Sequence, residues 1–210
     1  ELAKETGIPN VRSAAADFDI WALASNPDNR LPDSLPAPDR RAAMFFTGGT
    51  TGVPKGAEHT HHSLSVFAPL IHAVWNFRFD AETILNVAPM FHVWGHQFTL
   101  VFPLYLRATM VIVPQYSPKL VLAELQRNRV TVFAGGPAAI FLGLLAADSI
   151  DDTDLSALQY SIAGGSACPE SLLARWHDRT GNEILEGWGM SEGAPINSNP
   201  THGVKKRLST

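Results

Sequence analysis

The sequence predicts an α/β fold, a mostly parallel sheet of βαβ units with helices on both faces. Three observations predict it. From Ala42 onward, short runs rich in β-branched and aromatic residues alternate with segments of helical periodicity. The connections between these runs are long enough to hold a helix, as parallel pairing requires. Glycine-rich turns follow the runs, and in open sheets of this kind ligands bind beyond the carboxyl ends of the strands.

Taken in order, residues 1–41 are polar and punctuated by Pro9, Pro27, Pro32, Pro36 and Pro38. They predict a short helix, a short strand and a linker, the end of a preceding subdomain. Residues 42–200 make the α/β subdomain, and 201–210 begin the next one. Strands are expected at 42–46, 83–88, 109–113, 131–134, 160–163 and 183–185, the first of them buried. Thr60 caps a helix over 61–76 that Pro69 should kink. A second helix covers 95–106, with Pro103 inside it. A third covers 118–128, with Val121, Leu122 and Leu125 on one face. Pro137 starts a fourth, and Pro169 followed by Glu170 starts a fifth that turns Leu172, Leu173 and Trp176 to the core. Both ends of the sequence read as cut from a longer chain.

Composition narrows the classes. The chain has 210 residues, 45% of them hydrophobic, with a net charge of −4. Mixed acid and base, with one basic cluster at Lys205, Lys206 and Arg207, gives no nucleic-acid signature. The single cysteine, Cys168, excludes an internal disulfide framework and fits a reducing, cytoplasmic setting. The longest apolar run, 98–106, is broken by Pro103 and too short to span a bilayer, which leaves peripheral membrane contact open.

Phe45-Phe46-Thr47-Gly48-Gly49-Thr50-Thr51-Gly52-Val53-Pro54-Lys55-Gly56 gathers glycines, hydroxyls and one lysine in a single loop. Glycine lets backbone N–H groups approach an anion, the threonines add donors, and Lys55 adds a full charge. Such a set suits a polyphosphate. It is not a Walker loop: Pro54 stands where that pattern needs glycine, and Gly56 follows the lysine where it needs Ser or Thr. A second set, Gly187-Trp188-Gly189-Met190-Ser191-Glu192, puts an aromatic face, a hydroxyl and a carboxylate within five residues. These can stack on a purine, bind a phosphate and hold Mg²⁺.

The first stretch resembles, nearly residue for residue, the Thr/Ser/Gly-rich signature of the adenylate-forming enzymes, [YF]-T-[SG]-G-T-T-G-x-P-K-G. The second resembles their [YFW]-G-x-[TS]-E motif, with Trp for Tyr and Ser for Thr. Ala163-Gly164-Gly165-Ser166-Ala167 is similar to the family's Gly-Gly-Ala/Ser turn, and Pro89-Met90-Phe91-His92-Val93-Trp94-Gly95 to its P-x-[FY]-H-x-x-G segment. The resemblance covers most of residues 42–208 and implies the central part of that family's large N-terminal domain. It further implies ATP, Mg²⁺ and coenzyme A, with a carboxylic acid activated first as acyl-AMP and then as acyl-CoA. By the same resemblance Thr47, Gly48, Gly49, Thr50, Thr51, Gly52 and Lys55 hold the phosphates. Gly164, Gly165, Ser166, Gly187 and Gly189 line the nucleotide pocket. Trp188 covers the adenine, Ser191 meets the α-phosphate, Glu192 holds Mg²⁺, and His92 stands near the carboxylate. Gly48 in place of Ser leans toward long-chain fatty acids. The family's ribose-binding Asp, its hinge and its mobile C-terminal domain with a catalytic Lys are expected beyond Thr210, so the isolated segment is expected to be inactive.

Two other readings stand beside this one. Gly164-x-Ser166-x-Cys168, in a strand–turn–helix context, lies one residue short of a serine-hydrolase elbow, without a convincing Asp and His after it. A non-catalytic nucleotide-binding segment is the other. His92 and His96, four apart, make a weak metal pair without a third ligand. His59, His61 and His62 read as helix-start and surface groups.

Overall fold

The computed structural model describes residues 34–48, 52–113, 115–193 and 197–205. The chain divides into two compact units, Glu1–Pro36 and Ala37–Thr210, and every element below belongs to the second. The helix and strand expected early in residues 1–41 lie outside the described residues, as do Gly49, Thr50 and Thr51.

The first departure from expectation comes at once. Strand β1 (Arg41–Thr47) does not enter the main sheet; it pairs antiparallel with β2 (Lys55–Thr60) in a sheet of their own. The apolar run predicted a buried strand, yet only Phe45 of β1 is buried, while Met44 and Phe46 face outward. A two-stranded ribbon has one face to bury, so alternate residues stay wet. On β2 the inward positions are Ala57 and His59, and Ala57 sits opposite Phe45. Its sequence, Lys-Gly-Ala-Glu-His-Thr, is too polar to signal a strand.

Helix α1 (His61–Trp75) starts where Thr60 predicts. The Thr60 hydroxyl accepts from the Ser63 N–H and the Ser63 hydroxyl accepts from the Thr60 N–H, a reciprocal cap. Phe67, Ala68, Ile71 and Trp75 form its buried stripe; the helix runs on through exposed Pro69 and ends at Asn76, in left-handed conformation. After β3 (Thr83–Asn86) comes α2 (Val93–His96), then a π-helical turn (Gln97–Val101), then α3 (Phe102–Leu106). The sequence reads these as one regular helix. The Phe102 N–H instead bonds the Gln97 carbonyl five residues back. This wide turn precedes Pro103, whose ring disfavours a regular turn there.

The remaining elements are β4 (Thr109–Ile112), α4 (Pro118–Arg127), β5 (Val132–Gly136), α5 (Ala138–Leu145), a 3₁₀ turn (Asp148–Ile150), β6 (Tyr160–Gly164), α6 (Glu170–Thr180), β7 (Ile184–Trp188) and the two-residue β8 (Asn197–Ser198). Strands lie in the order β4-β3-β5-β6-β7-β8, the first five mutually parallel and β8 antiparallel. Strands β5, β6 and β7 run on into their glycine motifs, further than the sequence suggests.

Alternation along the strands divides the core in two. Leu85, Phe133, Ala163 and Ile184 face α4, α5 and α6 around Trp176 and Phe141. Ile84, Val132, Ala134, Ile162 and Leu185 face α1 and the helices after β3, around Trp75, Phe98 and Phe102. The sheet is therefore buried on both faces, as the sequence predicts. At the amino ends of β3 and β5 a buried carboxylate ties the strands together. Glu82 accepts hydrogen bonds from the Arg78 backbone and guanidinium and from the Thr131 hydroxyl, which itself accepts from the Thr83 N–H. No described helix is long and apolar enough to cross a membrane.

Candidate active site

Parallel pairing of β3, β5, β6 and β7 brings the segments that follow them to one rim. At the end of β6, Gly164 lies against the Trp94 ring and the Gly187 carbonyl, so close that a Cβ would collide with both. Gly165 then takes a φ of +81°, which favours glycine. The Ser166 hydroxyl accepts the Ala138 N–H at 3.0 Å and so braces the start of α5; it makes no hydrogen bond to a histidine among the described residues. Gly187 pairs with Gly164 on one side and Ser198 on the other. Beyond it Trp188 presents nearly half of its surface, 47%, to solvent. Ser191 and exposed Glu192 lie in the turn that the Gly193 N–H closes onto the Met190 carbonyl.

The hairpin reaches this rim from its separate sheet. His59 Nε2 donates to the Ser191 carbonyl at 2.6 Å, which fixes the proton on that nitrogen, and His59 Nδ1 faces the Ser63 hydroxyl at 3.4 Å. Phe45 lies edge-on between His59 and His96, with ring centroids 5.4 and 5.3 Å apart. Burial, and after it the neighbouring His59, holds the His96 pKa below the ordinary imidazole range. At the other end of the hairpin the Thr47 hydroxyl donates to the Lys55 carbonyl at 3.3 Å. Gly48, Gly52 and Lys55 are exposed, and among the described residues the Lys55 ammonium forms no ion pair. The sequence places the Thr47–Gly56 stretch after a strand of the parallel sheet. That is corrected here: it joins two antiparallel strands.

His92 caps α2, its Nδ1 accepting the Trp94 N–H at 3.1 Å. It borders two cavities that meet at Trp94. The smaller, about 170 Å³, is lined by Phe67, Gln97, Phe98 and the Gly189–Met190–Ser191 turn. The larger, about 370 Å³, is lined by Pro89, Phe91, Gly135, Gly136, Pro137 and Ile140. Gly165 borders both.

These groups suit a magnesium nucleotide. Glu192 is exposed and without an ion pair among the described residues, so its carboxylate is available to a cation that takes one carboxylate and completes its shell with phosphate and water. Exposed Gly165 offers bare backbone, and Trp188 an open aromatic face, for a flat ring. Cys168, by contrast, is buried, and burial followed by the nearby Glu186 charge pushes its thiol up to about 11, so it stays protonated.

Three residues of this rim have no role in the motif reading. His59, read from sequence as a surface group, is 4% exposed and joins the two motifs. Gln97 and Trp94 line the cavities, but nothing in a local pattern marks them; only the wide helical turn and the glycines opposite reveal their positions.

A mostly parallel sheet with these rim segments defines an α/β domain of the adenylate-forming class. A family model of AMP-binding enzymes matches residues 3–210. The chain belongs to that family. It is 31% identical over 156 residues to a long-chain-fatty-acid–CoA ligase of Bacillus subtilis, covering 74% of this chain and 28% of the relative. It is 33% identical over 181 residues to a mitochondrial malonate–CoA ligase of Xenopus laevis, covering 80% of this chain and 31% of the relative. The anthranilate CoA ligase AuaEII, solved in complex with anthranoyl-AMP, superposes with a TM-score of 0.78 at 27% identity, over 84% of this chain and 34% of that one. The chain thus spans about three-tenths of the length of these curated relatives.

Proposed function

We propose that this chain forms the nucleotide- and acid-binding part of an AMP-forming acid–thiol ligase. In the first half-reaction the acid's carboxylate attacks the α-phosphorus of ATP, and pyrophosphate leaves in line. In the second, the thiol of coenzyme A attacks the acyl carbonyl and AMP leaves. The observation that carries this reading is the hydrogen bond from His59 to the Ser191 carbonyl. It joins the hairpin bearing Thr47 and Lys55 to the turn bearing Trp188, Ser191 and Glu192.

The roles are those that the motif resemblance implies. Trp188 stacks on the adenine, whose other face lies against Gly164, Gly165 and Ser166. Ser191 donates to the α-phosphate. The hairpin loop, with Thr47, Gly48, Gly49, Thr50, Thr51, Gly52 and Lys55, holds the outer phosphates, where negative charge grows as pyrophosphate departs. Glu192 would hold Mg²⁺, which when bound would supply neutralising charge to the phosphates. His92, at the border of both cavities, sits beside the acid's carboxylate and orients it for attack. The sequence leans to a fatty acid, and the Bacillus relative supports that leaning. The malonate ligase stands at similar identity, so the acid differs among relatives.

ATP–pyrophosphate exchange by the full-length protein carrying these residues, measured over a panel of acids, tests the reading. Acid-dependent exchange is expected. Lys55→Ala and Glu192→Ala should each slow it by about 10²-fold or more, the scale of losing a group that stabilises developing charge. Unchanged exchange in Lys55→Ala would remove the phosphate assignment.

A further inference from the structure

The smaller cavity carries a feature that the motifs do not use. Gln97 opens the π-helical turn, its side chain borders the cavity, and it is 2% exposed. Its Oε1 has no hydrogen-bond partner among the described residues. A buried amide oxygen without a donor is unfavourable, and in a native core it signals a missing partner. Phe67, Val93, Phe98 and Met190 make the lining mainly apolar, with His92, Ser191 and the Trp94 indole N–H, itself without a partner among the described residues, as its other polar side-chain groups. Phe67 and Phe98 meet edge to face at 5.9 Å, and Trp94 packs on Phe98 at 4.6 Å. His92 is the only ionisable side chain of the lining.

Size and position then limit what can enter. An apolar cavity of roughly 150 Å³ accommodates benzene, so about 170 Å³ admits a tail of about six heavy atoms. A sixteen-carbon chain does not fit within this cavity alone. Ser191 and His92 belong to the lining, beside the positions proposed for the α-phosphate and the carboxylate. A tail that fills this cavity meets the Gln97 side of its wall. The partner of Oε1 must be a donor. A cationic donor would be buried without a counter-charge, which disfavours an ammonium. A hydroxyl satisfies the amide in either of its two orientations, since it both donates and accepts.

We infer that the acid is a compact hydroxy acid, its hydroxyl bonded to Gln97 and its length limited by Trp94. The inference rests on the ligase reading. Trp94 is the wall between the two cavities, held in place because Gly164 leaves room for its ring. Removing the indole joins the two spaces and lengthens the pocket.

The test measures kcat/KM in ATP–pyrophosphate exchange by the full-length protein with four acids: 5-hydroxypentanoate, its isostere hexanoate, hexadecanoate and benzoate. The expected order is 5-hydroxypentanoate, then hexanoate, with hexadecanoate far behind. In Gln97→Leu, and in the volume-matched Gln97→Met, the ratio of 5-hydroxypentanoate to hexanoate falls by on the order of tenfold. Hexanoate turnover persists, and so shows that the variants fold. Trp94→Ala raises hexadecanoate relative to hexanoate. A preference for hexadecanoate or benzoate in the unmodified protein, or an unchanged ratio in both Gln97 variants, overturns the inference and leaves the ligase reading standing. No exchange with any of the four overturns the inference, and the ligase reading falls only when a wider panel that includes malonate also gives none.

Discussion

A histidine in the middle of a short, polar strand has little reason to be buried, and His59 is buried because its ring has partners on each side. Its Nε2 holds the Ser191 carbonyl and its face meets the edge of Phe45. Residues 132 apart in sequence are thereby tied together. His59→Ala should cut kcat/KM for ATP by about five- to thirtyfold, the loss of one buried hydrogen bond of about 1–2 kcal/mol. His59→Gln, which keeps a donor at similar reach, should recover most of it. Steady-state kinetics with the acid held saturating gives the comparison. A loss that Gln does not rescue would mean that ring packing on Phe45, not the hydrogen bond, positions the turn.

Among the elements, β3 and β5 are fixed at opposite ends by different means. Their carboxyl ends open into the rim, while their amino ends are clamped by Glu82. Burial pushes the Glu82 pKa up; hydrogen bonds from Arg78 and then Thr131, with the Arg78 backbone and charge, outweigh it, and the net pKa lies below the ordinary value of 4.5. The sign follows from linkage. A carboxyl whose folded pKa is depressed adds stability that is complete above the unfolded value and is lost as pH falls through the folded one. Glu82→Gln should therefore lower the unfolding midpoint at pH 7, by about 2 kcal/mol in stability. The variant should also lose part of the steepening that the unmodified protein shows below about pH 4.5, the ordinary value. Urea denaturation of the full-length protein at pH 7, 5 and 4 checks both; parallel acid profiles would remove the clamp.

At the scale of the molecule, two cores share one sheet and the rim lies between them. A ligand that grips both the hairpin and the Trp188–Glu192 turn should stabilise the folded state by mass action, about 2.7 kcal/mol at a hundredfold excess over Kd. ATP with Mg²⁺ should raise the thermal midpoint of the full-length protein. The rise should shrink in Trp188→Ala, whose stacking face is gone, and an equal rise in that variant would place the adenine elsewhere.

Much of this architecture was legible in the residues alone. Five parallel strands with their helices could be read because each buries an apolar stripe of fixed period, and period is a local property. The glycine-, threonine- and lysine-bearing stretch and the Trp-to-Glu stretch could be read because their chemistry sits in consecutive positions. What could not be read were β2, the wide turn at Gln97, the wall made by Trp94 and the burial of His59. Each depends on which distant surface comes to rest beside it: a polar strand pairs because Phe45 is opposite, and a polar ring is buried because a carbonyl far along the chain awaits it. Sequence determined the elements and the kind of chemistry they carry. Only the folded chain decided that His59 of the hairpin meets the Ser191 turn and which residues line the space beside it, because proximity between remote segments arises from packing and leaves no local pattern.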